Sequence, residues 1–395
     1  MTAASFIGFT GFTLVMPFLP LYFQQLGVSD VGDIAMWSGL SLGVTPALAA
    51  LLSPVWGRLA DRYGRKILVE RSLVSFIFVM GATAYVTRPW QLFALRVVQG
   101  LFAGYGSLAV TMAADSAPRE KTAYAIGFVQ TAQRLGPAIG PVVGGVVAQM
   151  VGLRNAFLVT AGFYVCALVV VFFIYDERGA PHTRQAGASD RVPFRNVLAF
   201  ENFILLLGVV FGLQFIDRSF GPVLPLFVAE LGTPAARVPI VAGVLFSIMA
   251  GAGAIGHHIC GKLLRRASAR RVIATSVAGG SIGALIYALA GSPWLLVLGT
   301  PIFGVAIGVG MTAAYTAASS VMPHMARGTG FGLLATASLT GLALSPIING
   351  MIAAQSIRAV FALDTVALLA LVAVVSRLMI AAPLDAPTAP AAEEL

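Results

Sequence analysis

Apolar stretches of about 20 residues recur along the whole chain and are separated by short polar turns. A helix of that length crosses the roughly 30 Å hydrocarbon core of a bilayer, and it satisfies its own backbone hydrogen bonds there. The pattern therefore predicts an all-α integral membrane protein with twelve spanning helices. We number them spans 1 to 12, at residues 3–26, 34–56, 67–87, 90–115, 122–150, 154–175, 202–230, 237–259, 272–291, 294–320, 327–354 and 357–379.

The distribution of Lys and Arg predicts the orientation in the membrane. If the N-terminus is inside, 18 of the 25 basic residues lie on or near the cytoplasmic side. Four lie outside, namely Arg88, Arg154, Arg237 and Arg358. Short cytoplasmic loops carry such an excess. We therefore expect both termini to be cytoplasmic, in a multi-pass protein of the bacterial plasma or inner membrane.

The two halves of the chain share sequence at an offset of 204 or 205 residues. PFLPLYFQQLG (17–27) matches PVLPLFVAELG (222–232), and GRLADR (57–62) matches GKLLRR (261–266). Six spans return each half to the same side, which predicts two parallel repeats with a solute path between them. The predicted organisation is an N-terminal half (1–175), a cytoplasmic linker (176–201), a C-terminal half (202–380) and a disordered tail (381–395).

Composition excludes several classes of protein. Only 10% of residues are charged and mean hydropathy is +0.89, whereas a soluble domain carries about 25% charged residues. The net charge of +9 belongs to membrane loops, so we expect no nucleic-acid partner. Four histidines without ligand-like spacing predict no metal site, and nothing predicts a cofactor. The chain has no nucleotide-binding glycine loop and no nucleophile–base cluster at membrane depth, so we expect no enzyme activity.

The loop between spans 2 and 3 reads GRLADRYGRK (57–66). It matches in full the signature G-x-L-A-D-R-x-G-R-K/R, and the chain therefore resembles the major facilitator superfamily. Asp61 is an acid amid four cations and must pair or lie at a helix N-terminus. In the resembling family this acid pairs across the two halves and holds one conformation. The resemblance implies a latch formed by Gly57, Asp61, Arg62, Gly64, Arg65 and Lys66, with Asp115 as a second acid.

Span 5 carries the pattern Gly127-x8-Gly136-x3-Gly140-Pro141-x2-Gly144-Gly145. This resembles the twelve-span drug:proton antiporters of the same superfamily. Gly136, Gly140 and Gly144 form one smooth stripe, which lets a second helix approach closely. We expect span 8 to pack on that stripe with Gly243, Ser247 and Gly251. We likewise expect Gly39, Gly43 and Ala47 of span 2 to meet Ala337, Gly341 and Ser345 of span 11. Generic helix packing without an antiport role is the alternative.

Charges inside spans are costly and mark functional or paired sites. Asp217 and Arg218 lie near the middle of span 7, where Asp217 is the leading candidate for a proton-carrying carboxyl; a permanently paired structural acid is the alternative. Arg134 in span 5 is its candidate partner or an anion site. Asp364 in span 12 ranks next.

Two further patterns have alternative interpretations. Arg96 and Gln99 in span 4 belong to L-x3-R-x2-Q-G, a second family-like motif, and are candidates for the coupling and substrate region; a structural arginine that snorkels outward is the alternative. Pairs of prolines interrupt spans 1 and 7 at matching positions. The interruptions are either gating segments or simple helix kinks. His257-His258 is interpreted as an interfacial helix end.

These observations favour a secondary transporter. The leading hypothesis is export of small lipophilic or amphipathic compounds in exchange for protons, by alternating access, in a monomer surrounded by lipid. Transport of a specific metabolite (a sugar, amino acid or organic anion) with different coupling is the main alternative. A channel or an intramembrane enzyme is the alternative from another class.

Overall fold

The computed structural model describes residues 1–116, 122–175, 194–323 and 326–380. Within these ranges all regular structure is helical and no strand occurs. The predicted all-α fold class is thus confirmed. Residues 176–193, which are most of the predicted linker, and the whole predicted tail (381–395) lie outside the described residues. The described remainder of the linker contains a short helix, Phe194–Leu198.

Nine helices in the described ranges are long and apolar enough to cross a membrane. In the first half the helices are Thr2–Val15 and Leu19–Gln25 (span 1), Val31–Tyr63 (span 2), Arg65–Thr83 (span 3), Pro89–Leu101 and Tyr105–Asp115 (span 4), and Thr122–Ile174 (spans 5 and 6). In the second half they are Phe203–Arg218 and Leu224–Glu230 (span 7), Val238–Leu264 (span 8), Ala269–Leu289 (span 9), Pro293–Val321 (span 10), Arg327–Ala353 (span 11) and Ile357–Leu378 (span 12).

Spans 5 and 6 follow each other almost without a loop. Thr122–Ile174 has 53 residues, which as one straight helix would reach about 80 Å, more than twice the bilayer core. Gly152 breaks it with φ 81°, a left-handed conformation that glycine adopts without steric cost. The segment therefore makes two crossings. With span 3 and the broken span 7, the described helices account for each of the twelve predicted spans.

Spans 1 and 7 are interrupted at matching positions, as the proline pairs predicted. A 3-10 turn, Met16–Phe18, separates the two helices of span 1, and residues 219–223 separate those of span 7. Pro20 and Pro225 both stand in the first turn of the following helix. Proline is tolerated there because the first N–H groups of a helix have no intrahelical partner.

The halves meet through spans 2 and 11 and through spans 5 and 8, and the outer parts of spans 1 and 7 also touch. The closest approaches lie towards one face of the membrane. There Gly32 lies against Ala354, Gly39 against Pro346, and Gly145 against Pro239.

Towards the opposite face, where loop 57–66 lies, the same helices separate. A Cβ atom added at Gly57, Gly127, Gly261 or Gly332 would meet nothing within 4 Å. The halves thus pack closely at the face away from loop 57–66, and the space between them opens on the side of that loop. In the predicted orientation this side is cytoplasmic, so the conformation is inward-facing.

Candidate functional site

Polar side chains gather on the inner walls of spans 5, 7, 8, 10 and 11, which are otherwise apolar. They are joined to one another by hydrogen bonds, an ion pair or electrostatic interaction. We call this set the cavity cluster; its members are Arg134, Gln214, Asp217, Arg218, His257, Thr312, Tyr315 and Ser338. Spans 5 and 8 belong to different halves, so the cluster lies where the halves meet.

Asp217 and Arg218 form an ion pair in the middle of the cluster. Arg218 Nε lies 3.2 Å from Asp217 Oδ2, with the side chains 51% and 27% exposed respectively. Successive residues of a helix point about 100° apart, and Arg134 was the candidate partner of Asp217. The arginine side chain is long enough to fold back across that angle, so the adjacent residue is the partner. Because the pair is partly open to solvent, a proton can reach the carboxylate.

His257 connects the two halves. Its Nδ1 lies 2.6 Å from Thr312 Oγ1 in span 10, and its Nε2 lies 3.2 Å from Arg134 Nη1 in span 5. The interpretation of His257 as an interfacial helix end is therefore wrong. Span 8 runs on to Leu264, which places His257 about two turns inside the helix.

The wall beside these groups is formed by spans 7, 10 and 11. Ser338 donates to Gln214 Oε1 at 3.3 Å, and Tyr315 lies within electrostatic range of Arg134. A cavity of about 480 Å³ opens next to them, lined by Tyr315, Thr316, Ser319, Ser320 and Phe331. Hydroxyl groups and two aromatic rings thus line the part of the cavity nearest the cluster.

Arg96 and Gln99 lie apart from the cavity cluster. Each is 1% exposed, and Arg96 Nη1 donates to Gln99 Oε1 at 2.5 Å. The other described neighbours of Arg96 are Thr45, which donates to its carbonyl, and Tyr164; all belong to the first half. Arg96 neither lines the cavity here nor snorkels outward. Among the described side chains its Nε and Nη2 have no hydrogen-bond partner, which is a costly arrangement for a cation.

Asp364 is also buried inside one half. It is 1% exposed, and Ser219 donates to its Oδ2 at 2.5 Å. Ser219 lies at the interruption of span 7, so this bond ties the break in span 7 to span 12. In this conformation Asp364 has no access to the cavity, which favours Asp217 over it as a proton carrier.

The glycine stripe of span 5 packs within its own half and not against span 8, so that expectation is wrong. Cβ atoms at Gly136, Gly140 and Gly144 would all collide with span 1. Span 8 instead meets the neighbouring face: Gly145 lies against Pro239 and Pro141 against Gly243. Spans 5 and 8 do pair as expected, but through a face rotated from the predicted one.

Spans 2 and 11 show the same rotation. Gly39 and Gly43 contact Pro346 and Ala343, so the helix pairing is confirmed. Gly341, which was expected to face span 2, instead packs on Phe211 of span 7. Gly341 matches Gly136 in the repeat, and each faces the first helix of its own half.

The residues of the predicted latch lie around the turn between spans 2 and 3. Gly64 has φ 96° and ends span 2. Lys66 Nζ donates to the carbonyls of Phe172 and Tyr175 at 2.9 and 2.6 Å, which ties the loop to the end of span 6. Gly57 and Arg62 are exposed, and Arg65 is half-buried. The side chains of Asp61 and Asp115 lie outside the described part of the structure, so the latch stays a prediction.

Two halves of helical spans with a polar cluster where they meet are typical of a solute transporter. The Major Facilitator Superfamily model matches residues 1–293 and 239–395. The chain belongs to the major facilitator superfamily; it is a multi-pass secondary transporter for small molecules and not an enzyme.

Curated relatives and solved structures agree with this family. The chain is 29% identical to the multi-drug resistance efflux pump PmrA homolog of Lactococcus lactis subsp. lactis, over 88% of this chain and 85% of that protein. It is 32% identical to the multidrug resistance protein MdtG of Salmonella dublin, over 79% and 77%. Its fold is similar to a bacterial homolog of the human lysosomal transporter Spinster, with a TM-score of 0.78 at 17% identity over 96% of both chains. It is also similar to a D-xylose-proton symporter, with a TM-score of 0.77 at 12% identity over 97% of both.

Proposed function

We propose that this transporter exports small lipophilic or amphipathic compounds in exchange for protons, across a bacterial plasma membrane, with both termini in the cytoplasm. The observation that carries the proposal is the partly exposed Asp217 carboxylate, which belongs to the cavity cluster between the halves. A carboxylate at that depth is costly unless it is paired or used. The names of the relatives, multidrug efflux pumps, support the substrate class.

The position of Asp217 suits a mechanism in which a single carboxyl carries the proton and is exposed to one side of the membrane at a time. Asp217 is wet while the cavity is open to one side, and closure of that side removes the water. Desolvation favours the neutral, protonated form of a carboxyl. A proton is therefore held during the transition and lost when the cavity opens to the less acidic side. Arg218, paired at 3.2 Å, supplies a cation that stabilises the carboxylate after release.

The test is transport in proteoliposomes that contain the purified full chain. Under an imposed pH gradient we expect uphill movement of a lipophilic cationic dye, abolished by a protonophore. Without a gradient we expect only exchange of labelled for unlabelled dye. Accumulation that is indifferent to the gradient contradicts proton coupling.

A second candidate substrate class, organic anions, is favoured by charge. The cavity cluster contains two arginines, Arg134 and Arg218, and one carboxylate, Asp217, so positive charge is in excess. Competition separates the two classes in the same vesicles. An anionic dye that is transported, and that inhibits the cationic dye only weakly, favours the anion reading.

Orientation is tested by single cysteines at positions 30 and 262, in a chain whose native cysteines are replaced. Position 30 is predicted to lie outside and position 262 inside. We expect an impermeant maleimide to label only the first in intact cells, and both after permeabilisation. Labelling of both residues in intact cells contradicts the proposed topology.

A further inference from the structure

His257 is the one titratable ring in the cavity cluster apart from the phenol of Tyr315. It links three spans: span 8, which carries it, span 10 through Thr312, and span 5 of the opposite half through Arg134. The proposed function does not use this residue.

The hydrogen-bond pattern defines the protonation state of the ring. Thr312 Oγ1 donates its only hydrogen to the carbonyl of Gly308 at 3.0 Å. It therefore accepts from His257, whose Nδ1 lies 2.6 Å away and must carry a hydrogen. Arg134 is always a donor, so Nε2, 3.2 Å from its Nη1, must be an unprotonated acceptor. The ring is neutral in this arrangement.

A second proton on the ring is incompatible with the contact. With Nε2 protonated, an N–H group would face the guanidinium N–H at 3.2 Å. Two donors would then oppose each other, and a cation would lie beside a cation. The hydrogen bond between the halves would be replaced by repulsion.

Other charged groups surround the contact between His257 and Arg134. Asp217 of span 7 is a carboxylate within electrostatic range of the ring, and Arg218 is paired with it. Tyr315 of span 10 interacts with Arg134. The ring is therefore neutral while Arg134 is in contact, and its protonation requires that Arg134 move away.

The position of the contact gives this chemistry a conformational effect. Between spans 5 and 8 the helices pack closely at Gly145 and Gly243, and Val142 N donates to Ser247 Oγ at 3.3 Å. Beyond Arg134–His257 they separate, since a Cβ at Gly127 or Gly261 would meet nothing. Arg134–His257 is thus the innermost contact between these two spans in the described ranges.

We propose that His257 couples proton binding to the arrangement of the halves: the neutral ring holds spans 5 and 8 together at Arg134, and protonation drives them apart there. This rests on the proposed proton exchange. The proton is bound to Nε2, and no bond other than the Arg134 hydrogen bond is broken. The inner ends of spans 5 and 8 can then approach each other only after the ring has given up its proton, which ties proton release to the inward-facing form.

The test measures the conformational equilibrium without substrate. In a chain with Cys166→Ala and Cys260→Ala, spin labels are attached to Gly127→Cys and Gly261→Cys, positions where an added side chain meets no neighbour. Distances are recorded in lipid nanodiscs from pH 8 to pH 5. We expect the ratio of the long-distance to the short-distance form to rise about tenfold on acidification.

Three variants identify the responsible group. His257→Gln keeps an acceptor for Arg134 but cannot titrate, so the pH response should disappear. His258→Gln is the matched control, an exposed neighbour, and should titrate as the parent does. Arg134→Gln removes the repelling cation and should flatten the response even if His257→Gln does not fold. A pH response that persists in His257→Gln or in Arg134→Gln overturns the proposal, as does a parent with no pH response.

The transport assay separates this proposal from the proposed function. If the parent shows the distance change but no gradient-driven transport, proton exchange fails as the function while the His257 contact stands as a proton-sensitive link. If the parent is gradient-driven and His257→Gln keeps the same pH profile of driven transport, the function stands and the role of His257 is overturned.

Discussion

Asp217→Asn is expected to reduce gradient-driven transport by about tenfold or more, while substrate exchange continues at close to the parental rate. Asparagine has the shape of the carboxyl but cannot carry a proton. It also removes the negative charge that faces His257. Arg218 is 51% exposed, so its loss of a partner is compensated by water and the fold should persist.

The measurement compares dye accumulation under a pH gradient with dye exchange at equal pH, in the same proteoliposomes. Asp364→Asn is the matched control, since that residue is buried against Ser219 away from the cavity. We expect it to keep gradient-driven transport. Driven transport that survives in Asp217→Asn and is lost in Asp364→Asn would make Asp364 the proton carrier.

Gly144→Leu and Gly145→Leu are expected to fail in different ways although the residues are adjacent. A Cβ at Gly144 would lie 2.7 Å from the carbonyl carbon of Leu14 in span 1, inside the first half. A Cβ at Gly145 would lie 2.8 Å from the carbonyl oxygen of Pro239, in the other half. Both obstacles are backbone atoms, which cannot rotate away as a side chain can.

Gly144→Leu should therefore destabilise the fold, and even Gly144→Ala should cost about 1–3 kcal/mol. Gly145→Leu should leave each half folded but hold the outer face open, so transport is lost while thermal stability in detergent stays near that of the parent. Gly208→Leu is the control, because a Cβ there meets nothing within 4 Å. Equal loss of stability at positions 144 and 145 would show that both face the same neighbour.

Hydropathy was sufficient to predict the crossings because burial in lipid imposes one rule on every span. It was less informative about where helices end. Span 2 was predicted to stop at residue 56 but continues to Tyr63, since a helix that leaves the membrane can carry on with polar residues. The same error placed His257 at the end of span 8, which continues to Leu264.

The rotation of each helix about its axis could not be predicted. In a soluble helix the apolar face marks the core, but every face of a membrane span is apolar. The stripe of Gly136, Gly140 and Gly144 fits span 1 as well as span 8, and only the assembled structure shows that span 1 occupies it. Arg96 was misplaced for the same reason: its cost in the membrane was evident, but the side to which it points was not.

The contacts that close the outer face have a consequence for the rate of switching. Gly39 against Pro346, and Gly145 against Pro239, bring backbone against backbone. Side chains that interdigitate must change rotamer, one after another, before two surfaces part, and each change adds to the activation barrier. Surfaces made of glycine and proline backbone have no rotamers to reorganise. The two halves can therefore separate there in one step, and the height of the barrier is left to the few polar contacts of the cavity cluster.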